Sequence, residues 1–191
     1  MKKIVTVVLW TLIALAAAPS WAVQVAGVNV ADKAAVAGWP ELVLNGAGIR
    51  KKFVVQVYVG ALYTAAKTTD ANAVINDSKA RRMQMHLLRD LSADQLITAL
   101  NEGLTANHTK DELAKLDAQI TEFNTIMKSV GSAKKGDTIA IDFVPGTGTR
   151  VAVNGQDKGT VKGDDFSRAL LKVWLGPKPV DAGLKKSILG G

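Results

Sequence analysis

The chain has 191 residues, with 24 Lys and Arg against 17 Asp and Glu, no cysteine, and 48% hydrophobic but only 5% aromatic residues. A chain of this size and composition buries a core without covalent staples, and the missing cysteine excludes a disulfide scaffold, a zinc finger, an iron–sulfur protein and a thiol enzyme. The two histidines, His86 and His108, lie far apart in sequence and offer neither a metal cluster nor a nucleophile–base triad a foundation, so no metal and no cofactor is expected.

Residues 1–22 differ from everything after them. Lys2 and Lys3 precede an apolar run from Ile4 to Ala18, and Pro19-Ser20-Trp21-Ala22 places small residues at the positions that a signal peptidase reads. The run is too short to span a bilayer and has no basic stop-transfer cluster behind it. The expectation is a signal peptide cleaved after Ala22, a periplasmic location, and a single domain over residues 23–191 with no integral membrane span. The basic residues outside this leader come in ones and twos, as Lys51-Lys52, Arg81-Arg82, Lys134-Lys135 and Lys185-Lys186. A nucleic-acid binder concentrates its charge and interleaves aromatics, so these read as a solvated exterior and no nucleic-acid partner is expected.

In chain order, Leu42 to Leu44 reads as a strand running into a loop at Gly46-Ala47-Gly48, and Phe53 to Tyr63 as a longer strand. The odd positions of that strand, Phe53, Val55, Val57, Val59, Ala61 and Tyr63, are all apolar, which predicts that this face packs on helices and that the mixed even face lines a cleft. A short helix near Asp70 to Ile75 is followed by a half-buried strand from Arg82 to Leu88, with His86 on its polar side and no partner in view. Ser92 with Gln95 forms a capping box flanked by Leu91 and Leu96 and starts one helix; Thr109 with Glu112 repeats the signal and starts a second, amphipathic from Leu113 through Met127. Asp137 to Val144, Arg150 to Val153 and Gly159 to Val161 form a meander that turns at Asn154-Gly155. Asp164 is read as the cap of a helix carrying Phe166, Leu170, Leu171, Val173 and Trp174, ended by Gly176-Pro177, and Asp181 starts a last short helix. The class is α+β, an antiparallel β-sheet with a layer of helices packed on one face.

The search for catalytic motifs is negative. Gly46 and Gly48 lack the spacing of a dinucleotide loop, no Gly-Lys-Ser/Thr cradle exists, and Asp90 and Asp94 sit where acidic groups complement a helix dipole. What remains is Leu44-Asn45-Gly46-Ala47-Gly48-Ile49-Arg50, followed by Tyr58-Val59-Gly60-Ala61-Leu62-Tyr63. This resembles the chalcone isomerase family, in particular its exported bacterial chalcone isomerase-like proteins. The capped helix at Ser92, the helix end Lys128-Ser129-Val130-Gly131, the meander and the helix end Ala169 to Gly176 follow in the family's order, so the resemblance covers nearly all of residues 23–191.

The resemblance implies an open-faced sandwich whose ligand lies between sheet and helices. It implies that Arg50 matches the arginine that binds the chalcone phenolate in the plant enzymes and a carboxylate in fatty-acid-binding relatives. A guanidinium suits that task because it stays charged and donates a planar fork. Other catalytic positions of the plant enzymes fall on Tyr58 in place of threonine, on Val173 in place of a hydroxyl residue, near Asp94 in place of tyrosine, and on Asn101, for which Glu102 competes. No residue is therefore assigned a catalytic role. The candidate ligand-binding residues are Arg50, Tyr58, Asn101 and Trp174, the last either a cleft wall or part of the core. Eight residues along an unbroken strand would separate Arg50 from Tyr58 by roughly 26 Å, so a bent loop before Phe53 is needed to bring them to one small ligand. Three readings follow: a non-catalytic binder of a small apolar ligand, fatty-acid-like or aromatic, with an anionic or carbonyl head; an intramolecular lyase or isomerase acting on a chalcone-like enone; and an interaction module with a cell-envelope protein partner.

Overall fold

The computed structural model describes residues 23–191; the expected signal peptide lies outside the described residues. The chain runs β1 (Val23–Val25), β2 (Val28–Val30), β3 (Lys33–Ala34), β4 (Leu42–Lys52), β5 (Val55–Thr64), α1 (Ala71–Ile75), β6 (Arg81–Leu87), β7 (Leu91–Ser92), α2 (Ala93–Asn107), α3 (Lys110–Ala114), α4 (Asp117–Val130), β8 (Ser132–Ala133), β9 (Thr138–Val144), β10 (Gly148–Val153), β11 (Gln156–Val161), α5 (Asp164–Leu175) and α6 (Ala182–Ile188). Seven strands form one antiparallel sheet in the order β11-β10-β9-β6-β5-β4-β3, and the helices of the β6–β9 connection pack with α5 and α6 on one face. Among the described residues no helix is long and apolar enough to cross a membrane.

Both capping boxes form: the Ser92 hydroxyl accepts from Gln95 N while the Gln95 side chain accepts from Ser92 N, and Thr109 and Glu112 do the same. The second does not open one long helix. α3 ends at Ala114 and α4 begins at Asp117, with Leu116 at the break buried against the core, so the continuous stripe Leu113, Leu116, Ile120 crosses a kink that periodicity does not register. Gly163, not Asp164, is the N-cap of α5; the Asp164 carboxylate instead accepts from the backbone N–H of Gly146 at 3.0 Å, tying the helix start to the β9–β10 turn. Asp181 caps α6 as expected, and its second carboxylate oxygen accepts from Lys51 N at 2.8 Å.

β4 is not interrupted at its glycines. It continues through them to Lys52, and Phe53-Val54 form a two-residue hairpin turn into β5. Two bulges in this hairpin set which way its side chains face. Asn45 is an extra residue between the pairs Leu44–Tyr63 and Gly46–Leu62, so the face carried by Leu42 and Leu44 before it is carried by Ala47 and Ile49 after it. Gly46, Gly48 and Arg50 thereby turn toward the helices. Val57 is the extra residue on the opposite strand, between the pairs Arg50–Tyr58 and Lys51–Gln56, and both Val57 and Tyr58 join the helix-side core.

The predicted faces of β5 are consequently exchanged. Tyr58 and Leu62 pack under the helices, whereas Val59, Ala61 and Tyr63 pack on Val30, Val36, Leu42 and Leu44 of the N-terminal segment, with the Tyr63 hydroxyl donating to Ala31 O at 3.0 Å. A strand covered on both faces leaves no polar side from which to tell them apart.

α6 lies directly on the glycines of β4. A Cβ at Gly46 would overlap the Ser187 carbonyl oxygen, and one at Gly48 would stand 2.5 Å from Ser187 Cβ. The buried Asn45 locks the same contact: its amide donates to Ile188 O at 2.7 Å and Thr68 O at 2.9 Å, and its oxygen accepts from Thr68 N at 2.7 Å. Gly46→Ala pushes backbone against backbone and should cost about 3 kcal/mol, at the upper end of overpacking penalties. Urea unfolding of the variant, with its midpoint displaced and its slope unchanged, is the check.

Candidate functional site

The hairpin brings together what an unbroken strand would have held far apart. Arg50 and Tyr58 are direct cross-strand partners, and the Arg50 guanidinium carbon lies 5.5 Å from the Tyr58 ring centroid. The bend expected before Phe53 lies instead at Phe53-Val54, between the two residues. From α5, Trp174 Nε1 donates to the Tyr58 hydroxyl at 2.8 Å. Tyr58 and Trp174 are 3% and 2% exposed, so both are core residues as well as walls.

These three side chains border a small inner cavity of about 20 Å³, closed by Met85, Leu96, Leu100 and Met127. That volume holds about one water. On the outer side of Arg50 a mouth of about 400 Å³ opens between the β4–β5 hairpin and the first turns of α2, lined by Val57, Leu91, Asp94, Gln95, Thr98 and Arg89 among others. Its size is within the range of small-molecule sites. Arg50 and Ala99 belong to both spaces. The small side chain of Ala99, one turn from Leu96, leaves the gap between helix and sheet that a larger residue would fill.

Asn101 is elsewhere. It lines a shallow depression on α2 with Thr98, Glu102, Thr105 and Ala106, and the structure does not bring it to the Arg50 pocket. Leu100, the neighbour that faces the sheet, takes the inner position. Residues that the sequence reading missed are Met85, Ala99 and Met127 inside and Arg89 and Gln95 at the mouth. The stripe on α2 and the alternation on β6 already placed Met85 and Leu96 on core-facing sides, but nothing marked which core residues border a space.

The site's electrostatics rest on a contrast among the arginines of the sheet. Arg82 and Arg150 share the buried carboxylate of Asp142 at 2.5 and 3.2 Å, and Arg81 donates to the carbonyls of Asp77 and Lys79. Arg50 has no carboxylate within ion-pair distance among the described residues, and its buried Nε has no hydrogen-bond partner. A guanidinium partly withdrawn from water without an anion keeps an unmet capacity for one. Tyr58, by contrast, is held neutral: burial raises its pKa above the ordinary tyrosine value, against the opposing pull of Arg50. Its oxygen accepts from Trp174 and its own O–H remains a donor.

The polar outer face of β6 makes no second site. His86 has the partners that the sequence did not show, Gln84 Nε2 at 3.0 Å and Thr138 Oγ1 at 3.3 Å, and burial lowers its pKa. His108 faces Ala169 O at 3.3 Å and ties α2 to α5.

A family model described as chalcone isomerase-like matches residues 22–190. The chain belongs to the chalcone isomerase-like family. No curated protein matches it. Among solved structures, the fatty-acid binding protein At3g63170 of Arabidopsis thaliana is similar with a TM-score of 0.67 and 17% identity, over 85% of this chain and 92% of that one. At that identity the likeness shows the fold, which is the α+β arrangement expected.

The two tyrosines of the chain, Tyr58 and Tyr63, are both buried, and burial pushes Tyr63 up to about 12 from an ordinary 10. Because the unfolded chain gives up these protons near 10 and the native state holds them, stability is intact below about pH 10 and falls as the pH rises toward 12. Ultraviolet titration should show no tyrosinate absorbance in native protein until well above pH 10, then a rise that coincides with unfolding.

Proposed function

We propose that this chain is exported to the periplasm, loses residues 1–22 there, and acts as a non-catalytic binder of a small apolar ligand with an anionic or carbonyl head. Arg50 is the head-group anchor. The observation that carries this reading is the unpaired, partly buried guanidinium at the junction of an open mouth and an apolar inner cavity. A carboxylate entering by the mouth meets Arg50 with no ion-paired protein carboxylate to displace. Val57, Leu91 and Ala99 offer apolar contact to the rest of the molecule. The fatty-acid binding of the Arabidopsis protein accords with such a ligand.

The alternative, lyase or isomerase action on a chalcone-like enone, draws on the same pair, because an arginine and a neutral phenol also stabilise a developing oxyanion. Against it stands Val173, 1% exposed and apolar where the plant enzymes carry a hydroxyl.

Mass spectrometry of organic extracts from the protein, purified from its own periplasm, tests the reading beside Arg50→Ala. Near one fatty or aromatic acid per chain is expected with the parent and at least tenfold less with the variant, since a charge-assisted bidentate contact is lost while no ion pair within the protein is broken. Equal ligand in both extracts removes Arg50 as the anchor. Arg50-dependent turnover of a chalcone panel above the uncatalysed rate replaces the binder with the enzyme.

A further inference from the structure

The tip of the β4–β5 hairpin is the one place in the described residues where large apolar side chains stand almost wholly in water. Phe53 is 91% exposed and Val54 93%, and Val55 beside them is 41% exposed. Neither folding nor turn chemistry asks for them. A two-residue hairpin turn with positive φ at its first position favours glycine, and Phe53 holds φ +56 there, a conformation uncommon for a bulky side chain. Cations flank the tip. Lys51 and Lys52 precede it directly, Arg89 lies across the mouth from it, and Lys178 borders the depression on its other side. The carboxylates nearby are few: Asp94 and Glu102 line the same depressions, and the Asp181 side chain is occupied by Lys51 N and Leu184 N.

We propose that this tip docks on an anionic phospholipid surface, with Phe53 and Val54 entering the headgroup–acyl boundary and Lys51, Lys52 and Arg89 meeting lipid phosphates. A projecting aromatic and aliphatic pair ringed by lysines matches what such an interface rewards, apolar burial added to attraction for negative lipid. A polar protein surface would pair the lysines but leave Phe53 and Val54 in water. The position adds weight: Lys52, Phe53 and Val55 also line the mouth that leads to Arg50, so the face turned to the membrane is the face by which an apolar molecule enters. The scattered charge of the sequence conceals this, because only the fold gathers Arg89 and Lys178 beside Lys51-Lys52.

Co-sedimentation of the purified protein with vesicles of phosphatidylethanolamine and phosphatidylglycerol, against vesicles of phosphatidylcholine alone, tests the proposal without any free fatty acid present. It is therefore decided separately from the ligand. Binding to the anionic vesicles is expected, weakened severalfold by raised salt and by Lys51→Gln with Lys52→Gln. Phe53→Gly with Val54→Ser, which suits the turn better than the native pair, should keep or raise thermal stability while reducing vesicle binding at least tenfold. No binding by the parent, or equal binding by that variant, overturns the proposal. So does a parent that sediments as a dimer and a tip variant that sediments as a monomer without any difference on vesicles, because the tip is then covered by a second copy.

Discussion

A strand side chain can face only two ways, and in this fold one extra residue decides which. Without the bulge at Asn45, residues 46, 48 and 50 would continue the face of Leu42 and Leu44 toward the N-terminal segment, and Arg50 would be turned from the helices altogether. The bulge holds because Asn45 both donates and accepts, reaching the loop at Thr68 and the end of α6 at Ile188 in one buried cluster. The same shift presents Gly46 and Gly48 to α6, and only residues without a side chain allow that helix to lie so close. The glycine motif and the arginine after it thus follow from one constraint: the glycines seat α6, whose cap at Asp181 holds Lys51, and Arg50 is fixed between them.

Given that placement, the charge distribution of the sheet acquires meaning. The outer face uses one carboxylate, Asp142, to pair two arginines, so both have an anionic partner within the protein. On the helix face Arg50 is left with a ring. A cation–π contact recovers only part of what a guanidinium loses on leaving water, and the Tyr58 hydroxyl, pinned by Trp174, offers no negative charge. The partly exposed position of Arg50 limits the desolvation cost of keeping this cation without a paired anion.

Much of this was legible where the signal is local. Both capping boxes, the cap at Asp181, the turn at Asn154-Gly155 and the alternation of β6 depend on residues within a few positions of one another, and each forms as its chemistry dictates. The turn between β4 and β5 is expected at the glycines and before Phe53, but it falls on Phe53-Val54, because these two are strand formers placed at a turn. On an unbroken strand Arg50 and Tyr58 would stand roughly 26 Å apart, whereas the turn at Phe53-Val54 makes them direct cross-strand partners. The faces of β5 were exchanged for a related reason, since bulges leave no mark in sequence and both sides of the strand are covered. Asn101 was carried by family correspondence, uncertain by a residue, and helix geometry gives the inward position to Leu100 instead.

The tightness of the inner cavity bears on how an apolar tail could be held. At about 20 Å³ it admits no chain of carbons, so a tail either lies in the mouth or displaces the side chains that close the interior. Of those, Leu96 and Leu100 are fixed on a helix held by its capping box, and Trp174 is tied to Tyr58. Met85 and Met127 are the pair that yields most readily, being unbranched and soft enough to refill the space in another rotamer. They face the cavity from the sheet and from α4, so their movement would extend the mouth inward past Arg50 without disturbing the Trp174–Tyr58 hydrogen bond. Under the proposed binding reading, an arginine at the threshold with flexible thioethers behind it would order the event: the head group caught first, the interior opening only as far as the tail requires.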